Sequence, residues 1–282
     1  RTPLNGVIGF AELLYNLDLK STERKYVENI QTSALSLMGI INDILDFSKI
    51  EAGKLELDES TNDVIDLTEQ TIDMVKMAAS KKGIELLLNI DPATPRFCAF
   101  DLIRLRQVLV NLMGNAVKFT EKGEVELSLK FAPDDENPKK GFFTFEVRDT
   151  GIGISEQQRQ RLFKAFSQAD TSTTKKYGGT GLGLVISSKL LEQMESKLEL
   201  QSTPGLGSIF SFVLHRSCEQ GRPMTYKPVE KIERVLIIDD NDQNRLILKH
   251  MLHKWNIKTD EAADGVEALR MMQSRTDYDV AI

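Results

Sequence analysis

The sequence predicts a multidomain chain: an α-helical hairpin, an α/β sandwich with antiparallel hairpins, and the opening of a parallel α/β unit. Three observations carry this. Ile30, Leu37 and Ile44 lie seven apart, and so do Ala34, Ile41 and Ser48, which makes a seam on a long helix. Residues 125–131 and 142–148 alternate in the manner of half-buried strands, with a period of two. Val235-Leu236-Ile237-Ile238 is a short unbroken apolar run, as a parallel strand covered on both faces requires.

Taken in order, Leu4, Val7, Ile8, Ala11 and Leu14 mark one face of a first helix over 4–16. A polar break at 18–23 offers Ser or Thr as an N-cap, and a second helix runs from about residue 24 to residue 50. Its paired heptad tracks want a partner, either a second copy in a four-helix dimer bundle or the rest of its own domain. Gly53 and the acidic run 56–60 read as a linker. Helix 66–79 closes at Lys81-Lys82-Gly83, strand 84–90 follows, and 91–95 is a turn. Helix 102–119 precedes the two alternating strands, with a loop at 133–138 between them. A helix at 156–166, a polar loop at 168–180, a helix at 182–194 and strands near 197–201 and 209–214 complete the middle. After a Gly- and Pro-bearing linker at 219–229, the tail alternates strand 235–238, helix 244–254, strand 257–260, helix 265–274 and a third strand. The expected domains are 1–54, 64–216 and 233–282, joined by linkers 55–63 and 217–232.

Composition narrows the function. In 282 residues, 41% are hydrophobic and 28% charged, so real cores are affordable in more than one domain. Thirty-six Lys+Arg against 42 Asp+Glu gives −6, which argues against a partner nucleic acid. No stretch reaches the roughly 18 apolar residues of a membrane helix. Cys98 and Cys218 have no CxxC spacing and make no disulfide framework, so a reducing compartment is the default. The chain begins at Arg1-Thr2-Pro3 and ends within an apolar run, Val280-Ala281-Ile282; a segment cut at both ends is expected.

Three groups carry chemistry. Asn111 and Asn115 lie four apart on one helix face, with Lys118 three further on. Two amides and a lysine suit a hydrated metal and phosphate oxygens; a plain polar helix face is the competing reading. Asp149-Thr150-Gly151-Ile152-Gly153-Ile154 leaves a strand into a glycine turn. Its carboxylate can accept from an exocyclic amine, and the glycines let a ring approach the backbone. Gly178-Gly179-Thr180-Gly181-Leu182-Gly183-Leu184 runs into a helix, where bare N-terminal amides bind anions. It is neither GxGxxG nor GxxxxGK[ST].

In this order, Asn-x3-Asn-Ala-x-Lys-Phe-Thr, Asp-x-Gly-x-Gly-Ile, Leu-Phe-x3-Phe and Gly-Thr-Gly-Leu-Gly-Leu resemble the N, G1, F and G2 boxes of sensor histidine kinases. Arg1-Thr2-Pro3-Leu4-Asn5 looks like the tail of that family's H box. Residues 235–241 with 263–269 resemble the first half of a response-regulator receiver. Kinase core followed by receiver is the layout of hybrid histidine kinases. The resemblance implies a Bergerat-type ATP-binding domain and an incomplete flavodoxin-like receiver.

The resemblance also implies roles, position by position. Asp149, with Gly151, Gly153 and Ile154, would bind adenine. Asn111 and Asn115 would hold Mg²⁺ and phosphate; Lys118 and a lid lysine, Lys175 or Lys176, would bind phosphate. Gly179, Thr180, Gly181, Leu182, Gly183 and Leu184 would cradle the phosphates, with Phe119 and Tyr177 as aromatic contacts. Phe163 and Phe166 would anchor the lid or simply pack the core. Asp101-Leu102-Ile103-Arg104 leads into the N box and is structural, while Glu195-Ser196 stands where Gly-Gly is common. Asp239 and Asp240 would be the receiver's Mg²⁺-binding pair.

The implied activity is transfer of the γ-phosphate of ATP to a histidine and then to a receiver aspartate. The partners are a second copy of the chain and the receiver and histidine-phosphotransfer domains of a phosphorelay. The implied location is the cytoplasmic side of a parent anchored in the inner membrane upstream. His215, His250 and His253 all fall outside the first helices, so the acceptor histidine is expected upstream of Arg1 and the acceptor aspartate downstream of Ile282. His250 and His253 lie three apart, but with no third ligand they read as a solvated face. The rival is an ATP-hydrolysing machine of the gyrase or MutL type, which carries Glu where Asn111 stands; a neutral amide is a poor base for water. A non-enzymatic scaffold has no need of complete ATP boxes.

Overall fold

The computed structural model describes residues 2–17, 19–162, 181–219 and 232–282. The chain divides into two compact units, residues 1–57 with 155–194 and residues 58–154 with 195–282.

The first unit is helical. α1 (Thr2–Tyr15) and α2 (Ser21–Glu51) pack against each other, α5 (Glu156–Leu162) belongs to the same unit, and α2 also meets α6 (Gly183–Gln193). The expected hydroxyl cap on α2 is not used. Lys20 occupies the N-cap place, and Glu23 reaches back to accept its backbone N–H at 3.0 Å. A carboxylate at the third helical position satisfies that amide and also favours the positive helix end, so the helix starts at Ser21. Burial along the two heptad tracks is uneven. Ala34 is buried, whereas Ile30, Leu37 and Ile44 are exposed on this single chain.

The second unit opens with β1 (Ser60–Asp63), α3 (Val64–Lys82), β2 (Ile84–Ile90), β3 (Phe97–Phe100) and α4 (Leu102–Phe119). β4 (Gly123–Pro133), β5 (Lys140–Asp149), β6 (Glu199–Thr203) and β7 (Gly207–Ser217) follow. The main sheet has the order β2-β4-β5-β7-β6. β2 runs parallel to β4 and every other neighbouring pair is antiparallel, so the sheet is mixed rather than built from hairpins alone. β1 and β3 form a separate antiparallel ladder, Ser60 opposite Phe100. In sequence, residues 60–63 read as part of a linker and 97–100 carry no strand signal. Each strand is only four residues, and Ser-Thr-Asn-Asp has no apolar alternation; its pairing exists only because a residue nearly forty positions away lies beside it.

Helix ends follow local chemistry. The Asp63 carboxylate accepts from the amides of Ile65 and Asp66, and Gly83 ends α3 in the left-handed region at φ 66°. Asp101 caps α4 by accepting from Arg104 N–H at 3.0 Å, and its other oxygen accepts from Asp58 N–H at 3.0 Å. α4 then buries Leu105, Val108, Leu109, Leu112, Met113, Ala116 and Val117. On the sheet, Phe143 and Phe145 alternate inward along β5 and meet Phe100 edge-on and Phe212 in a stack, with centroids 5.3 and 5.0 Å apart. Burying such rings supplies about 2–3 kcal/mol each.

Residues 232–282 form β8 (Arg234–Ile238), α7 (Asp242–Lys254), β9 (Lys258–Ala262), α8 (Gly265–Ser274) and β10 (Val280–Ala281). The three strands are parallel in the order β10-β8-β9. Their own small core holds Leu236, Ala262 and Ala268, with Ile238, Met271 and Tyr278 against it.

Glu195, just after α6, is exposed and sits at φ 59°, a conformation that crowds any side chain with a Cβ. Glu195→Gly therefore stabilises the fold by roughly 0.5–1 kcal/mol after the loss of unfolded-state rigidity is deducted. Thermal unfolding of the two proteins measures this, with Glu195→Ala as the control that keeps the strain.

Candidate functional site

The Asp149 carboxylate stands at the end of β5, 7% exposed. Its Oδ1 accepts from Gly151 N–H at 2.8 Å, and Ser208 donates to it from both backbone and hydroxyl. Burial pushes this acid above the usual carboxylate range, against the pull of those donors and of Arg148. A buried carboxylate with donors arranged around it is a group held ready for a further donor.

The loop after Asp149 is locked by backbone contacts. A Cβ on Gly151 would lie 2.5 Å from the Phe119 carbonyl, and one on Gly153, at φ 65°, would lie 2.1 Å from the Thr203 carbonyl. Gly205 N–H donates to the Ile152 carbonyl at 2.8 Å, and Ile154 N–H donates to Ser202 Oγ at 2.8 Å. The glycines are thus required by the protein's own chain, the end of α4 on one side and the β6–β7 turn on the other. This differs from the sequence argument, which assigned them to the approach of a ring. Ser202, Thr203, Gly207 and Ser208 are the partners that reasoning missed. In sequence, Thr-Pro-Gly-Leu-Gly-Ser between the two last strands of the middle domain carries turn residues and nothing that points to Asp149.

On α4, Leu112, Met113, Ala116 and Val117 are buried, while Asn111, Asn115, Lys118 and Phe119 are partly exposed. The expected face exists: Asn115 Nδ2 donates to Asn111 Oδ1 at 3.3 Å. Lys118 Nζ stands 5.0 Å from the centroid of the Phe119 ring, and burial lowers its pKa. The helix end is held by a residue that sequence reasoning used only as a stop signal. Lys82 Nζ donates to the carbonyls of Val117, Lys118 and Thr120 at 2.7, 2.8 and 3.0 Å, a cation on the negative end of a helix.

In the first unit, Gly181 takes φ 70°, Leu182 is buried at the N-cap, and Gly183 and Leu184 begin α6. The apolar Leu182 side chain makes no capping hydrogen bond there. Phe163, Phe166, Lys175, Lys176, Tyr177, Gly179 and Thr180 lie outside the described residues.

In the tail, Asp239 follows β8 and accepts from Asn241 N–H at 2.8 Å and from Asn244 Nδ2 at 3.2 Å; Asp240 is exposed. Asn241 and Asn244 also donate to Glu85, and Asn241 to Glu124. His250 and His253 are exposed on α7. Among the described residues, no group of three or more His, Cys, Asp or Glu is placed to hold a metal ion, and no helix is long and apolar enough to cross a membrane.

Residues 1–53 match the His Kinase A (phospho-acceptor) domain, and residues 100–217 match the histidine kinase-, DNA gyrase B- and HSP90-like ATPase family. These are histidine kinase domains. The chain is 41% identical over 261 residues to the sensor protein GacS of Pseudomonas syringae pv. syringae, covering 92% of this chain and 28% of that protein. It is 40% identical over 215 residues to hybrid signal transduction histidine kinase L of Dictyostelium discoideum, covering 76% of this chain and 12% of that protein. A crystal structure of full-length ShkA in complex with AMPPNP superposes with a TM-score of 0.77 at 34% identity, over 96% of this chain and 55% of that one. The histidine kinase domains therefore span a minor part of the curated relatives they match.

For this histidine kinase chain the raised acid at Asp149 has a stability consequence. A carboxyl whose folded pKa lies above its unfolded value loses stability as pH rises through the folded value and keeps it below the unfolded one. Asp149→Asn, neutral at every pH, is therefore more stable than wild type at pH 7. The gap narrows as pH falls toward 4. Urea titrations at the two pH values check both the sign and the trend.

Proposed function

We propose that this chain is the ATP-dependent kinase core of a hybrid two-component phosphorelay sensor, which passes the γ-phosphate of ATP to a histidine and then to a receiver aspartate. The domain plan is residues 1–54 as a partial dimerisation and phosphotransfer hairpin, 64–216 as the ATP-binding domain and 233–282 as the start of a receiver, with linkers at 55–63 and 217–232. The observation that carries the reading is Asp149: a buried carboxylate fixed by Gly151 and Ser208 in a loop whose glycines admit no side chain.

Each residue has a stated task. Asp149 accepts from the adenine amine, with Gly151, Gly153 and Ile154 shaping the edge of that site. Lys118, and in the lid Lys175 or Lys176, neutralise phosphate oxygens. Gly179, Thr180, Gly181, Leu182, Gly183 and Leu184 cradle the phosphate chain, and Phe119 and Tyr177 contact the nucleotide. The donor set on α4 fits Mg²⁺: Asn115 spends its amide nitrogen on Asn111 Oδ1, which leaves its oxygen, a hard ligand, for an ion that keeps most of its waters. When bound, that ion supplies positive charge against the phosphate oxygens. Asp239 and Asp240 are assigned to Mg²⁺ in the receiver. Catalysis here is positioning and charge, with the phosphate held in line with an imidazole nitrogen. Asn111 weighs against ATP hydrolysis of the gyrase kind, because an amide does not take a proton from water.

The exposed apolar residues Ile30, Leu37 and Ile44 support dimerisation through the hairpin. The exposed receiver-like tail supports exchange with further receiver and phosphotransfer domains. The reading places the chain on the cytoplasmic side.

Calorimetry with ATP and Mg²⁺ tests the site. Wild type binds, and Asp149→Asn binds at least about tenfold more weakly, since an amide in place of a carboxylate loses a charge-assisted bond. Equal affinity would overturn the adenine assignment, and rapid multiple-turnover phosphate release by wild type would favour the gyrase-type reading.

A second outcome concerns the acceptors. His215 pairs with Asp134 on the sheet at 2.7 Å, His250 and His253 lie on α7, and residues 1–53 hold no histidine. This 282-residue polypeptide, incubated with γ-labelled ATP, therefore takes up neither acid-labile nor base-labile phosphate. Stable label of either kind on this polypeptide would overturn that expectation.

A further inference from the structure

The two cysteines stand apart from the nucleotide chemistry, and 119 residues separate them in the sequence. The fold puts them face to face. Cys98 of β3 and Cys218, the residue after β7, are partners in an antiparallel bridge. Glu219 N–H donates to the Phe97 carbonyl at 2.9 Å, so the hydrogen bond lies outside the pair, and Cys98 and Cys218 occupy a non-hydrogen-bonded site. Opposed residues at such a site have Cα atoms about 4.5 Å apart and side chains on the same face. That spacing lies within the window of about 4.4–6.8 Å that a disulfide spans.

We propose that Cys98 and Cys218 form an oxidation site, in which a small-molecule disulfide converts the two thiols into an intramolecular disulfide between β3 and the end of β7. Both thiols are free and buried, at 0% and 8% exposure. Burial pushes Cys98 up to about 12, with the charge of Cys218 as the next cause, and burial also raises Cys218. Cys98 donates its S–H to the Pro95 carbonyl at 3.2 Å, so it rests as a thiol. The order of reaction follows from access. The Cys218 thiolate attacks one sulfur of the small disulfide, forms a mixed disulfide and releases one small thiolate. Cys98 then loses its proton and attacks the Cys218 sulfur, which forms the protein disulfide and releases the second small thiolate. Two protein thiols are oxidised and one small disulfide is reduced to two thiols. The product ties the lead-in to α4, whose capping residue Asp101 lies three residues after Cys98, to the point where the chain leaves the main sheet.

The test uses the whole chain with oxidised glutathione at pH 8, alkylation of remaining thiols at timed intervals, and mass spectrometry of intact protein and peptides. Wild type should lose both alkylatable thiols, fall in mass by two hydrogens and yield a peptide that links Cys98 to Cys218. Cys98→Ser should accumulate a stable mixed disulfide at Cys218, and Cys218→Ser should be modified at Cys98 at least about tenfold more slowly. Thermal unfolding of both variants confirms that they are folded. Wild type that keeps both thiols while Cys98→Ser is modified, or that collects glutathione on both cysteines, or that links only between chains, would overturn the proposal.

Discussion

Three stretches of backbone meet around the end of β5, and most of the site depends on how closely they approach. A Cβ on Gly207, at φ 106°, would lie 1.9 Å from the Asp149 carbonyl, and one on Gly153 would lie 2.1 Å from that of Thr203. No side chain fits in those gaps. The β6–β7 turn, the Asp149 loop and the end of α4 are therefore fixed against one another by main-chain atoms. Main-chain contacts relax less than side-chain contacts, because moving one carbonyl moves the element behind it. The carboxylate of Asp149 inherits its position from this crossing, and so does the end of α4 that carries Lys118 and Phe119.

The polar groups of the site are placed at some cost to the fold. Burial raises Asp149 and lowers Lys118, so each is held in water-poor surroundings that disfavour its charged form. The surrounding donors offset part of that cost for Asp149. Lys82 does the corresponding work at the end of α4, where three carbonyls would otherwise face one another. Buried charges of this kind are costly to the fold, and perturbed titratable groups of this kind cluster at functional sites.

The helical unit obeys a different constraint. Val27, Ala34 and Ile50 of α2 are buried, and Phe10, Leu13, Ile30, Leu37 and Ile44 are exposed. Apolar surface on this scale along one hairpin signals an interface. The heptad spacing of Ile30, Leu37 and Ile44 places these exposed side chains in one seam.

The sequence by itself determined the elements whose signals are local. Alternation in 142–148, the apolar spacing of α4 and the run at 235–238 are properties of neighbouring residues, and the elements formed where those patterns lie. Asn111, Asn115 and Lys118 shared a helix face because 3.6 residues make a turn. Tertiary structure decided everything that rests on distant pairing. β1 and β3 exist because Ser60 meets Phe100, a pairing that four polar residues do not announce. Ser208 reaches Asp149, and Lys82 reaches the end of α4, only after the sheet has formed. Gly151 and Gly153 were legible as turn residues, but the carbonyls that forbid a side chain there belong to Phe119 and Thr203. Cys98 and Cys218 had no motif to betray them, since a cross-strand pair is defined by register and not by spacing along the chain.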